Sequence, residues 1–281
     1  MKDYSIYDLE KIAKFLRYTI IDTLVKCGAG HPGGSLSAAD VLTALYFKIL
    51  NINPKFLTDP DRDRFILSKG HSALGLFSVL KLRGFISDDE LLTFRQDNSK
   101  FWGHTDIKNP GVELSAGSLG HGLSVGVGKA IAAKLDGKTH KIFVMLGDGE
   151  CQEGSVWEAA MSAAHYKLDN LVAIVDRNMV QQCGNTEQVM SLEPFPCKWK
   201  AFGWNVIEID GHCMKEIVSA LSQKSVLEVP TVIISKTVKG KGISFMEDDK
   251  KWHGGGAIKE YADKALKEVE SFIEFGELLN D

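Results

Sequence analysis

The chain has 281 residues and a net charge of −4, and no Lys/Arg-rich block stands out to serve as a footprint for nucleic acid. A hydrophobic share of 44% and a charged share of 25% are ordinary for a globular protein, and α/β sheets can run past 200 residues as one core. No apolar run reaches bilayer length and residues 1–10 lack a signal-peptide core, so the expectation is a cytoplasmic protein that binds neither nucleic acid nor membrane. The five cysteines, Cys27, Cys151, Cys183, Cys197 and Cys213, are odd in number, scattered and form no C-x-x-C, which argues against both a disulfide framework and a structural zinc site.

In chain order, Leu9, Ile12, Ala13, Leu16, Ile20 and Leu24 mark one face of an opening helix that ends near Gly28. After a loop holding His31, the spacing predicts a second helix from Ser37, as N-cap, to Leu50. Arg64 to Leu67 reads as a short strand, turned by Ser68 to Gly70 into a helix running to about Arg83. Asp97 to Gly120 shows little periodicity, and unstructured stretches of that length inside a compact domain are often functional. Then follow helix 122–135, strand 141–146, helix 154–168, strand 171–175, strand 205–209, helix 214–226 and strand 231–235. Such alternation implies a parallel sheet with helices on both faces and ligands at the strand carboxyl ends. The whole chain is expected to be one domain, with a helical tail at about 257–275 whose stripe is Ile258, Tyr261, Ala265, Val269 and Phe272. That stripe could dock on a partner or pack on its own domain.

Two strand ends carry the chemistry. Gly147-Asp148-Gly149-Glu150 follows the strand at 141–146, and Asn178 follows the strand at 171–175. Asp148 offers a hard anionic oxygen, Asn178 an amide oxygen, and the glycines let a phosphate approach the backbone, as Mg2+ or Ca2+ bridging a diphosphate requires. A lone G-D-G can also be an ordinary turn whose aspartate caps the next helix. The run Gly122 to Ala130 is not a P-loop, since its spacing is wrong and Ala130 replaces the needed hydroxyl; no G-x-G-x-x-G follows a strand.

The Gly147-Asp148-Gly149 turn with Asn178 resembles the metal-diphosphate motif of thiamine diphosphate enzymes. Gly28 to Gly34, Ser68-Lys69-Gly70-His71-Ser72, Gly103-His104, Gly117 to Gly122 and Gly149 to Gly154 are similar, in order, to successive signatures of transketolase, from about Ile6 to His253. The resemblance implies a thiamine diphosphate-binding fold and transfer of a two-carbon ketol unit from a ketose phosphate to an aldose phosphate, as in pentose phosphate metabolism. It implies a metal held by Asp148, Asn178 and the carbonyl of Val180. It further implies cofactor contacts from His71, Gly117, Ser118, Leu119, Gly147, Gly149, Glu150 and His253, and sugar contacts from His31 and His104. His31, His104 and His253 would be the catalytic histidines, a residue type suited to proton transfer near neutral pH. Glu153 would lie at a subunit interface linking paired active sites, or else simply favour the start of a helix. The chain departs from the family pattern at Ser118 and His121, where Pro and Gln are more frequent, and at Arg177, where Asp or Asn is usual.

Complete transketolases are more than twice as long, and the glutamate that activates the cofactor ring belongs to their second domain. The resemblance therefore implies the N-terminal subunit of a split transketolase, paired in an α2β2 heterotetramer with a separately encoded C-terminal subunit. Two alternatives stay open: the α subunit of a 2-oxo acid dehydrogenase, and a non-catalytic thiamine diphosphate-binding subunit.

Overall fold

A computed structural model describes residues 3–254 and 258–279. Its helices are α1 (Ile6–Cys27), α2 (Pro32–Ser37), α3 (Ala39–Ala44), α4 (Ala73–Leu82), α5 (Asp88–Leu92), α6 (His121–Leu135), α7 (Gly154–His165), α8 (Thr186–Val189), α9 (Phe195–Ala201), α10 (Met214–Leu221) and α11 (Ala262–Val269). The strands are β1 (Arg64–Leu67), β2 (Ile142–Gly147), β3 (Leu171–Arg177), β4 (Asn205–Asp210) and β5 (Thr231–Lys236), paired in the order β1-β2-β3-β5-β4 and all parallel.

Because side chains alternate across a strand, the apolar runs feed two cores at once. Phe65, Leu67, Phe143, Met145, Val172, Ile174, Ile209 and Ile233 face the layer of α1, α3, α4 and α10. Ile66, Ile142, Val144, Leu146, Leu171, Ala173, Val175, Val232 and Ile234 face α6, α7 and α9. Helix α6 lies against β2 so closely that a Cβ on Gly126 would come within 2.5 Å of the Val144 side chain.

Helix α1 starts at a Ser5–Asp8 capping box and ends at Gly28, whose φ of +77° is a left-handed position that favours glycine. The expected helix from Ser37 to Leu50 is corrected. Helix begins at Pro32, breaks at Ala38, and continues through α3 into a π-helical turn at Leu45–Ile49. Ser37 closes α2 instead of capping its successor; its hydroxyl donates to the Gly34 carbonyl and the Asp176 carboxylate. Proline at the first helical position has no N–H to lose, which explains the earlier start. Helix α10 ends at Leu221, five residues short of the expected Val226.

The tail packs on its own domain. Ile258, Ala265 and Val269 are fully buried in the α1-side core, with Tyr261 and Phe272 packed against it. Ala257, the expected start of the tail, lies outside the described residues.

Candidate active site

Gly147 pairs with Asp176 at the carboxyl ends of β2 and β3, so the turn bearing Asp148 and the segment bearing Asn178 leave the sheet side by side. The buried Asp148 carboxylate accepts the Gly149 N–H at 2.8 Å, the Met179 N–H at 2.6 Å and the Arg177 guanidinium at 3.3 Å. Burial, together with the neighbouring Asp176 carboxylate, raises its pKa, so a cation placed before it would relieve the cost of its charge. Asn178 donates its Nδ2 to Asp176 at 3.1 Å and accepts the Val180 N–H on Oδ1 at 3.1 Å, which fixes the direction of the amide.

Beneath them lies a buried ion pair. Asp176 accepts from the Lys69 ammonium and from the hydroxyls of Ser37 and Thr237. Burial opposes its charge, but Lys69 and these donors hold its pKa below the usual carboxylate range. Lys69 is only 2% exposed, so Asp176→Ala would strand an ammonium in the interior. The expected loss is ~3–5 kcal/mol, measured by urea unfolding. The isosteric pair Lys69→Met with Asp176→Leu should recover most of it.

Four histidines converge above this floor. His31 precedes α2, His71 lies in the turn Gly70–Ser72, His104 is on the long loop before α6, and His253 follows the turn Lys250–Trp252. The ring of His31 stands 5.5 Å from His71, 5.8 Å from His104 and 6.0 Å from His253, while His71 stacks on His253 at 5.0 Å. Glycines permit this approach. A Cβ on Gly34 would come within 2.6 Å of Ser72 Oγ, and one on Gly33 within 2.8 Å of the Trp252 carbonyl.

The cluster is held uncharged. Burial, reinforced by His104, Arg95 and Lys239, lowers His31 to about 4; burial with Lys239 and His31 lowers His253 to about 3. His71 and His104 shift down as well, chiefly through burial. With folded values below the unfolded 6.5, the unfolded chain binds more protons between them, so stability should fall as pH drops from about 6.5 toward 4. The expected loss from His31 and His253 is on the order of 1 kcal/mol after solvent screening. Melting temperature against pH checks it, and the double variant His31→Asn/His253→Asn should flatten the slope.

Asp148, Asn178, Val180, His71, Lys239 and His253 face a common cavity of about 250 Å³. A more open hollow of about 520 Å³ shares Asn178 and Val180 but holds none of the histidines. The 250 Å³ cavity fits a metal-bound diphosphate: the hard oxygens of Asp148 and Asn178, the ammonium of Lys239, the imidazoles of His71 and His253 and glycine backbone share its wall. Gly147, Gly149 and Leu119 line it too. Gly117 and Ser118 are exposed on the neighbouring loop and do not line it. Glu150 reaches the wall, but its carboxylate is taken by the N–H groups of Gly120 at 2.8 Å and Gly147 at 3.0 Å and by the Ser68 hydroxyl. Glu153 opens α7 without a side-chain capping bond and stands exposed at the rim.

Sequence reasoning missed Asp176, Lys69 and Lys239. Lys69 sits within the Ser68–Ser72 block and Asp176 two residues before Asn178, so proximity in sequence was a signal for both. Lys239 had none: it reaches the cavity from the segment after β5, donating to the Val180 carbonyl at 2.6 Å and lying 2.9 Å from His253 Nδ1. Burial, with Lys69 among the opposing charges, lowers Lys239 to about 8.

Residues 9–272 match the family described as the transketolase, thiamine diphosphate binding domain. The chain belongs to that family. It is 47% identical over 96% of both chains to a protein of Phocaeicola vulgatus named as a subunit of apulose-4-phosphate transketolase. It is 41% identical to a Clostridium protein named as the SqwG subunit of 6-deoxy-6-sulfo-D-fructose transketolase, covering 94% of this chain and 96% of that one. Human transketolase is 38% identical across 98% of this chain but only 45% of its own length. The solved transketolase of Campylobacter jejuni superposes with a TM-score of 0.84 at 34% identity, covering 98% of this chain and 47% of that one. The parallel sheet is therefore that of the transketolase thiamine diphosphate-binding domain. Among the described residues no helix is long and apolar enough to cross a membrane.

Proposed function

We propose that this chain is the N-terminal, diphosphate-binding subunit of a split transketolase, folded as one domain and active in an α2β2 assembly with a C-terminal partner. The observation that carries the reading is the convergence of His31, His71, His104 and His253 beside the Asp148–Asn178 cavity. A protein that only anchored the cofactor would need the oxygen ligands and not four converging, neutral imidazoles, three of them partly buried and His104 exposed. The partner requirement is supported by relatives of equal length named as subunits, set against transketolases of about twice the length.

Asp148, Asn178 and the Val180 carbonyl would hold Mg2+ or Ca2+. Among the described residues no three acidic, His or Cys side chains group as a metal cage, so diphosphate and water would complete the coordination. His71, His253, Lys239 and the backbone of Gly147 and Gly149 would meet the diphosphate, and Leu119, with Gly117 and Ser118, the cofactor's ring. Thiamine diphosphate, when bound, supplies the electron sink for ketol transfer. His31 and His104, neutral at pH 7, can accept hydrogen bonds or protons from sugar hydroxyls and orient the carbonyl oxygen. Glu153 at the rim suits contact between subunits. Five free thiols suit a reducing compartment, and the cytoplasm is its proposed place.

The test is co-expression with a candidate pyrimidine-binding partner subunit, followed by a coupled assay of the pair and of each chain alone. A panel of ketose donors would include apulose 4-phosphate, after the names of the equal-length relatives, and common pentose phosphates. Turnover is expected from the pair only. Full turnover by this chain alone would overturn the partner requirement, and oxidation of pyruvate with a lipoyl acceptor in place of ketol transfer would overturn the reaction assigned.

A further inference from the structure

Lys239 reaches the cavity from a segment, Thr237 to Gly242, that is tied to Asp176 at Thr237 and is otherwise held in part by side chains remote from the cavity. The Val238 N–H donates to His212 Nε2 at 2.9 Å. His212, on the turn between β4 and α10, places its Nδ1 2.7 Å from Asp40 of α3. Asp40 accepts both terminal nitrogens of Arg17 from α1, and Arg17 Nε donates to the Lys241 carbonyl at 3.1 Å. The loop is thus gripped at one peptide group before Lys239 and at another two residues after it.

The hydrogen bonds fix the imidazole's state. A backbone N–H can donate only into a lone pair, so Nε2 carries no proton; the ring's proton is on Nδ1 and goes to Asp40. Asp40 is buried, which opposes its charge, yet Arg17 and His212 bring it down to about 2. Arg17 is 6% exposed and does not line the cavity, so the network reaches it through the loop backbone.

We infer that His212, oriented by Asp40 and Arg17, is a positioning residue that sets the Lys239 ammonium against Val180 and His253 through the Val238 peptide, an inference that rests on the proposed binding of diphosphate in this cavity. Losing the acceptor leaves the Val238 N–H without its partner and frees the loop to drift by the fraction of an ångström that separates a firm ammonium contact from a loose one.

Two readouts test it on the full chain assembled with its partner: amide hydrogen exchange across residues 237–242, and calorimetric titration with thiamine diphosphate and Mg2+. His212→Phe removes the acceptor, whereas His212→Gln retains an acceptor oxygen. The Phe variant should exchange at Val238 at least ~10-fold faster and bind cofactor ~10-fold more weakly, with kcat at saturating cofactor unchanged. The Gln variant should restore most of both. If the Phe variant fails to fold, His212→Asn, polar but too short to reach Val238, takes its place. Unchanged exchange at Val238, or Gln no better than Phe or Asn, would overturn the inference. Faster exchange in the Phe variant of a protein whose wild type binds no thiamine diphosphate would instead overturn the functional reading and leave the loop anchoring standing.

Discussion

Asp148→Ala will weaken binding of thiamine diphosphate in the presence of Mg2+ by at least about a hundredfold, and turnover with the partner will fall with it. The magnitude follows from scale: losing even an outer-shell partner of a metal ligand costs 10–100-fold in affinity, and Asp148 is the only acidic side chain among the proposed ligands. The side chain also has a scaffold role, because it accepts the N–H groups of Met179 and Gly149. Each stranded donor costs ~1–3 kcal/mol, so a melting curve must accompany the titration. Arg177 will not be left unpaired, since Glu187 and Glu193 each accept from it at 2.8 Å. Asp148→Asn keeps an acceptor for the backbone donors and should separate the two roles, restoring stability while cofactor affinity stays low. Wild-type affinity in folded Asp148→Ala would remove the metal site from the place proposed for it.

The second large effect belongs to His31 and His104. Alanine at either position should lower kcat with the partner ~10²–10⁴-fold, the range for loss of a positioned proton-transfer group, while thiamine diphosphate affinity changes by no more than about threefold. Both imidazoles are neutral near pH 7, so the loss should be similar from pH 7 upward. His31→Asn keeps a hydrogen-bonding group of similar size, and a recovery there would mean that His31 orients the sugar without moving a proton. Parallel measurement of turnover and cofactor titration decides. Loss of cofactor affinity equal to loss of turnover would reassign both residues to the diphosphate.

The sheet was legible because continuous apolar runs such as Ile142–Leu146 and Leu171–Val175 suit few other environments than a strand buried on both faces. The Asp148–Asn178 pair was legible for the same reason: each motif sits at a strand end, and the register brings those ends together. Helix α2 was hidden by Gly33 and Gly34, residues of low helix propensity that serve the close approach of His71 and Trp252. Helix α5 carried a signal that went unread, a Ser87–Glu90 capping box. Arg177 stands out in the sequence only as a departure from the family, whereas in the fold it ties Asp148 to Glu187 and Glu193. Lys239 and His212 were out of reach, because their roles depend on contacts spanning 59 and 172 residues of sequence.

The contact between Gly126 and Val144 bears on how accurately the metal ligands are placed. Both faces of β2 are apolar, so hydrophobicity alone would tolerate a one-residue slip of this strand against its neighbours. Shape does not: a slip would carry Phe143 or Met145 beneath α6, at a spot where even one methyl on Gly126 would be too much. Gly126 thereby acts as a register lock, and Asp148 inherits its address from a helix packed against the middle of its strand.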